Sequence, residues 1–99
     1  MTEAEINLAI ARLEHPDAEI TQDNYNWGSC ALIRNEQQAF DYVGNWADIG
    51  PIIERERIGV ALVHGDVYRA YSNEVFAIDR SPTKAAALCY LKIKGLISG

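Results

Sequence analysis

Two strand-like runs on either side of the dipeptide Gly65-Asp66 constrain the fold of this chain more than any other feature. A two-residue connection of this composition favours a β-hairpin, because the turn needs backbone conformations that glycine and aspartate tolerate. The pattern therefore predicts that Val60 to His64 pairs antiparallel with Val67 to Tyr71. The first run is apolar on both faces, which predicts a central strand, whereas the alternation in the second predicts a half-exposed strand.

Capped helices are predicted near the two ends of the chain. Thr2 and Glu5 have the spacing of a capping box, and apolar residues at helical spacing follow them as far as Leu13. Ser81 is a favourable N-cap and Pro82 a favourable first helical residue, so a last helix is predicted to begin there. The buried stripe of that helix is predicted to consist of Ala86, Cys89, Tyr90 and Ile93.

A further helix is predicted to begin after Asn45. Asn45 is a good N-cap, and Asp48, three residues later, completes an Asn-x-x-Asp variant of the capping box. Trp46, Ile49 and Ile53 share one side at helical spacing, and we expect that side to be buried. On this interpretation Trp46→Ala costs about 3 to 5 kcal/mol, because removing a buried ring leaves a cavity.

Short apolar runs supply the remaining strands, and they predict the element order α-β-β-α-β-β-β-α. These runs are Cys30 to Ile33, a hairpin partner near Tyr25 and Trp27, and Val75 to Ile78. Ninety-nine residues are enough for one core but not for two, so a single domain, 1–99, is predicted. We expect an α+β fold in which a small, mostly antiparallel sheet packs against three helices.

Composition and charge narrow the class of protein. Hydrophobic residues make up 48% of the chain and charged residues 23%, which is typical of an ordered globular protein. No apolar run has the length of a membrane span, and the first residues are acidic, so we expect no membrane association and a cytoplasmic location. The net charge of -5 and the dispersed basic residues argue against nucleic acid as a partner. The same charge favours solubility or a basic partner.

No motif in the chain predicts catalysis. The residues contain no nucleotide-binding loop, nucleophile elbow or zinc-protease motif. The two cysteines are too few for a metal site, and in a reducing compartment both are predicted to be small core residues. Cys30 with His15 or His64 is a thiol-imidazole combination without an orienting group, and His64 is predicted to lie at the edge of the core. Caps and turns account for the four acids that could otherwise act in pairs: Asp41, Asp48, Asp66 and Asp79.

Aromatic side chains are the best candidates for binding. They combine a large apolar surface with a polar group, and when several gather on one exposed face they form a protein-binding hot spot. The candidate residues are Tyr25, Trp27, Tyr42, Tyr68 and Tyr71. No catalytic residue, metal ligand or cofactor is predicted.

Three stretches of the chain resemble a family of small phage and prophage proteins. They are the helix start at Asn45-Trp46, the segment from Gly50 to Glu54, and the last helix with Ala85 to Tyr90. In this order and spacing they are similar to the phage ABA-sandwich domain family. The resemblance covers most of the chain and implies a phage accessory protein without an assigned activity, and it names no catalytic residue.

Two functions are therefore open at the level of sequence. The first is a phage accessory protein that binds a host or phage protein, because aromatic residues are present and catalytic motifs are missing. The alternative is a small enzyme, or a nucleotide-binding or metal-binding domain, that uses a carboxylate or Cys30. The sequence also leaves open whether the chain forms a homo-oligomer.

Overall fold

Three helices alternate with two groups of three strands. The computed structural model describes residues 1–22, 30–33 and 38–98. The elements in chain order are α1 (Glu3–Glu14), β1 (Ile20–Gln22), β2 (Ala31–Ile33), β3 (Gln38–Phe40), α2 (Trp46–Arg55), β4 (Gly59–His64), β5 (Val67–Ser72), β6 (Val75–Asp79) and α3 (Pro82–Ile93). The predicted α+β class is confirmed. The structure adds β3, which the predicted element order lacks.

The strands form two separate antiparallel sheets. In the described residues, β1, β2 and β3 form one three-stranded sheet and β4, β5 and β6 form the other, each in sequential order. Sequential antiparallel order follows from short connections, which join neighbouring strands without a crossover. The predicted hairpin at Gly65-Asp66 joins β4 to β5, and Gly65 has the positive φ of 57° that favours glycine in such a turn.

The strand positions within the second sheet differ from the prediction. β5 is central and β4 lies at the edge, so the prediction of a central strand at Val60 to His64 is wrong. The end of β4 is exposed: Leu62 is 58% and Val63 is 55% exposed, and His64 is exposed instead of lying at the edge of the core. An unbroken apolar run is typical of a strand covered on both faces, but here the residues near the turn extend past the elements that pack on the sheet.

α3 lies at the centre of the core. It packs against β5 and β6 of the second sheet and also contacts α1 and α2. Its alanines let these neighbours approach closely, because a methyl group adds little to the distance between backbones. Six of its residues are at most 2% exposed: Ala85, Ala86, Ala87, Cys89, Tyr90 and Leu91. Both cysteines are buried and free, as predicted.

The helix starts follow local sequence signals. The capping box of Thr2 and Glu5 is present at α1. Asn45 caps α2 by accepting a hydrogen bond from the backbone N–H of Ala47. The predicted partner role of Asp48 is wrong, because its Oδ2 accepts from the backbone N–H of Asp41, 2.9 Å away, and this bond joins the helix to the preceding loop.

Trp46 does not lie in the core. Its side chain is 53% exposed, whereas Ile49 and Ile52 of the same helix are 0% and 2% exposed. Helical geometry places Trp46 about 120° around the axis from Ile52, so Trp46 lies at the margin of the side that is centred on Ile49 and Ile52. The predicted burial of Trp46 is therefore wrong, and the large stability loss predicted for Trp46→Ala loses its physical basis.

Candidate functional site

One face of the second sheet is apolar and exposed. The strand register places two rows of residues on it, Gly59–Tyr71–Phe76 and Ala61–Arg69–Ile78. We call these six residues the open face. On the opposite side Ala70 and Ala77 pair across the strands and are 0% and 3% exposed, because α3 packs there.

The side chains of the open face remain accessible although they are large. Tyr71 is 44%, Phe76 is 40% and Ile78 is 53% exposed. Monomeric proteins rarely expose a continuous apolar patch of this kind without using it for binding. The patch continues toward the Gly65-Asp66 turn, where Leu62 and Val63 line a cavity of about 380 Å³ together with residues of the open face.

Tyr71 lies across the edge strand. A Cβ atom at Gly59 would be only 2.4 Å from Cζ of Tyr71, so the ring covers the glycine directly. An aromatic ring opposite a glycine shields the backbone of that strand and compensates for the missing side chain. Tyr71 is thereby held flat on the sheet with one side of its ring toward the exposed surface.

Arg69 lies at the centre of the open face. It is on the central strand, between Ala61 on one side and Ile78 on the other. Its guanidinium carbon is 4.7 Å from the ring centroid of Phe76, which is the distance of a cation-π contact. This contact orients the guanidinium without neutralising its charge.

The predicted aromatic binding residues that the structure describes, Tyr42, Tyr68 and Tyr71, do not gather on one face. Tyr71 lies on the open face, Tyr68 lies on the opposite side of the same sheet, and Tyr42 is buried at 3% exposure and stacked on Phe40. Burial raises the pKa of Tyr42, which therefore stays neutral. Tyr25 and Trp27 lie outside the described residues.

Sequence reasoning missed the other residues of the open face. Phe76 and Ile78 alternate with buried Ala77, and this period of two could have identified an exposed apolar face on β6. Arg69 gave no signal of its own, because an arginine in a half-exposed strand is usually only a solvated residue.

A second cavity, of about 430 Å³, brings together residues of the alternative function. Its lining includes Cys30, Asp41 and Asp48. Asp41 Oδ1 accepts hydrogen bonds from Asn7 Nδ2 at 3.1 Å and from the backbone N–H of Gly44 at 3.0 Å. These acids thus have structural roles in the loop and at the helix start. Among the described residues, no group of three or more His, Cys, Asp or Glu side chains is suited to hold a metal ion.

The two histidines considered as partners of Cys30 lie beside other residues or in solvent. The ring of His15 is 5.1 Å from that of Phe40, at the C-terminal end of α1. His64 lies exposed at the end of β4. Of the two other acids considered for chemistry, Asp79 accepts a hydrogen bond at 3.0 Å from the backbone N–H of Ser81 at the start of α3, and Asp66 is exposed in the turn between β4 and β5.

An ionic cluster joins the three helices. Glu14 of α1 accepts two hydrogen bonds from the guanidinium of Arg55, at 2.9 and 2.8 Å, and one from the hydroxyl of Tyr90 at 2.7 Å. The bonds from Arg55 lower the pKa of Glu14, with a further contribution from Tyr90. Burial, together with the bond to Glu14, raises the pKa of Tyr90. The cluster connects α1, α2 and α3.

Comparison with protein families gives one result. The model of the family described as "Bacteriophage P22, NinX" matches residues 1–94. The chain belongs to this phage family. The predicted phage origin is thereby confirmed, and the NinX match extends through all three helices and both sheets. Neither the curated proteins nor the solved structures give a significant match.

Within the ranges that the structure describes, no helix is both long enough and apolar enough to cross a bilayer.

Proposed function

We propose that this phage accessory protein acts in the cytoplasm of the bacterial host by binding a host or phage protein through the open face. The observation that carries the proposal is the exposure of Tyr71, Phe76 and Ile78 side by side on one sheet face. Large apolar side chains on a flat, ordered surface become anchors when a partner excludes water from them.

The fold supports a rigid binding surface. α3 packs on the back of the sheet, and the two antiparallel pairings of β5 fix the rows of the open face. A preorganised surface loses little side-chain and backbone entropy when it binds, so more of the contact free energy appears as affinity. We also propose that residues 1–99 form one domain. The narrower similarity to the phage ABA-sandwich proteins stays a prediction.

Affinity capture with matched variants tests the proposal. The tagged chain, a Phe76→Thr/Ile78→Thr double variant and a Leu96→Thr control are incubated with lysates of phage-infected and uninfected host cells. Leu96 is a suitable control because it is 52% exposed and does not belong to the open face. We expect the wild-type chain and the control to retain the same protein, and the double variant to retain at least about tenfold less.

Two results would contradict the proposal. One is capture of the same protein in equal amounts by all three chains, and the other is no protein retained above an empty matrix. Melting curves of the three chains show whether the double variant is folded, and single Ile78→Thr replaces it if it is not.

The cavity at Cys30 supports a second, less direct candidate. Its lining brings together one thiol and two carboxylates, the side chains on which the alternative of a small enzyme or nucleotide-binding domain rests. A ligand at about a hundred times its dissociation constant adds about 2.7 kcal/mol to stability, so a thermal-shift screen with nucleotides and divalent metals detects it. A shift that disappears in Asp41→Asn or Cys30→Ala would favour this candidate over the open face.

A further inference from the structure

Arg69 distinguishes the open face from an ordinary apolar patch. Among the side chains that the register of β4, β5 and β6 places on this face, Arg69 is the only charged one. Its neighbours across the strands are Ala61 and Ile78, and Phe76 lies under the guanidinium. A partner that covers the face therefore removes a positive charge from water.

A buried guanidinium has to be paired. Taking an ion out of water is costly unless an opposite charge and its hydrogen-bond acceptors replace the lost hydration. The planar fork of arginine matches a carboxylate, which accepts two parallel hydrogen bonds from it. An apolar partner without an acid would leave Arg69 uncompensated at the centre of the contact.

A second copy of the chain does not meet this requirement. A two-fold dimer centred on the open face would place Arg69 against Arg69 of the other copy, and two like charges in a dry contact repel each other. Pairing through the edge of β4 is also disfavoured, because the register of that strand shifts between Leu62 and His64. A bulge of this kind blunts an edge against further strand pairing.

Single-stranded nucleic acid fits the face less well than a protein does. Tyr71 and Phe76 could stack with bases, but a phosphate track needs several cations. Phe76 is in contact with two, Arg69 and Lys92, whose Nζ is 5.7 Å from the centroid of its ring. The exposed aliphatic side chains of Val63 and Ile78 instead match an apolar protein segment.

We propose that the partner presents a segment in which one aspartate or glutamate is flanked by aliphatic or aromatic side chains, and that its carboxylate pairs with Arg69. This inference rests on the proposed function, since it describes the partner of the same face. It also reverses the expectation from net charge: the chain carries -5 in total, yet its binding face selects an acidic partner. Arg69 is thus the specificity-determining residue of the open face.

Peptide selection provides a probe without knowledge of the partner. A displayed library of random short peptides is selected on the immobilised full chain, and the enriched peptides are then synthesised and titrated by fluorescence anisotropy. We expect enriched sequences that contain an acidic residue between apolar ones. Replacing Arg69 by Gln should weaken their binding by about tenfold or more, because the carboxylate would then be buried without its partner.

A charge exchange makes the test specific. The Arg69→Glu variant should no longer bind the acidic peptides. It should instead bind peptides of the same sequence in which Lys replaces the acidic residue. Arg12→Glu, on α1, changes the net charge by the same amount away from the open face and should leave the acidic peptides bound. Arg69 is exposed, so both of its variants should melt at about the wild-type temperature.

The outcomes separate this inference from the proposed function. One outcome is that peptide binding requires Phe76 and Ile78 but has the same affinity for Arg69→Gln as for wild type. That outcome would overturn the carboxylate pairing and would leave the open face as a protein-binding surface. No enrichment, together with no protein captured from lysate, would overturn both. Tight binding of oligo(dT), or a concentration-dependent dimer in light scattering that Arg69→Gln stabilises, would replace the acidic segment by nucleic acid or by a second copy.

Discussion

Trp46 and Ile49 are three residues apart on α2 and have opposite environments. Trp46 is 53% exposed and Ile49 is 0% exposed, although helical spacing places them on the same side. Burial depends on how close a residue lies to the middle of the packed side, and Trp46 is about 120° around the helix axis from Ile52, the other fully buried residue of α2. At the scale of single residues, helical periodicity identifies which residues share a side of the helix but not which of them lies at the middle of the buried side.

A pair of substitutions on α2 measures this difference. Trp46→Ala should change the free energy of unfolding by no more than about 0.5 kcal/mol, because an exposed ring leaves no cavity. Ile49→Ala should lose about 2 to 5 kcal/mol, because the methyl groups it removes are fully enclosed. Urea unfolding followed by circular dichroism gives both values. A loss of several kcal/mol for Trp46→Ala would show that the ring is buried after all.

Asn7 is a buried polar residue in the apolar stripe of α1. Its Oδ1 accepts a hydrogen bond from the backbone N–H of Val43 and its Nδ2 donates to Asp41, both at 3.1 Å. Asn7→Ala removes the acceptor and leaves the N–H of Val43 buried without it, which should cost about 1 to 3 kcal/mol. Denaturant unfolding of this variant beside wild type is the comparison. Equal stability of the two would mean that water replaces the amide of Asn7.

At the scale of elements, local signals determine where the helices begin. Asn45 caps α2, and Ser81 caps α3 by accepting a hydrogen bond from the backbone N–H of Lys84. Each cap satisfies a helical N–H within four residues, so it depends little on the rest of the fold. The packing of a strand has no such local determinant, and this is why β4 was predicted to be central but lies at the edge.

The cap of α2 can be tested by substitution. Asn45→Ala should lower the free energy of unfolding by about 1 kcal/mol, because the N–H of Ala47 loses its side-chain acceptor. Asn45→Ser keeps an acceptor at the same place and should retain most of the stability. Thermal or urea unfolding of the two variants gives the difference, and an Asn45→Ala variant as stable as Asn45→Ser would show that the cap contributes nothing.

At the scale of the whole molecule, the helices are held together from two sides. α3 occupies the core, and at its C-terminal half the hydroxyl of Tyr90 joins Glu14 and Arg55 at the ends of the other helices. The lowered pKa of Glu14 makes this cluster dependent on pH. Its contribution to stability is present above the ordinary pKa of 4.5 and is lost as the pH falls through the lower pKa of the folded state.

Unfolding as a function of pH tests the ionic cluster. Wild type should lose stability as the pH falls below about 4.5, because Glu14 must then take up a proton and release Arg55. Glu14→Gln should be less stable than wild type at neutral pH, and the difference between the two should shrink in acid. Glu54→Gln, at an exposed position of α2, controls for the removal of one carboxylate. A constant difference between Glu14→Gln and wild type across this range would rule out the ionic role.

The sequence by itself determined the α+β class, the starts of all three helices and the hairpin at Gly65-Asp66. Each of these depends on interactions between residues a few positions apart, such as the bonds between Thr2 and Glu5, which any fold of the chain would contain. The phage family also follows from the sequence, because the family model matches residues 1–94.

Only the tertiary structure decided which apolar residues are exposed. Phe76 and Ile78 are as apolar as the residues of the core. They are exposed because α3 packs on the side of the sheet that carries Ala77, and Phe76 and Ile78 lie on the opposite side. Likewise, Arg69 acquires its significance from Ala61 and Ile78, which join it only through strand pairing. Contacts between residues distant in the chain depend on how the elements are arranged in space. The periodicity of residues within one helix or strand does not predict that arrangement.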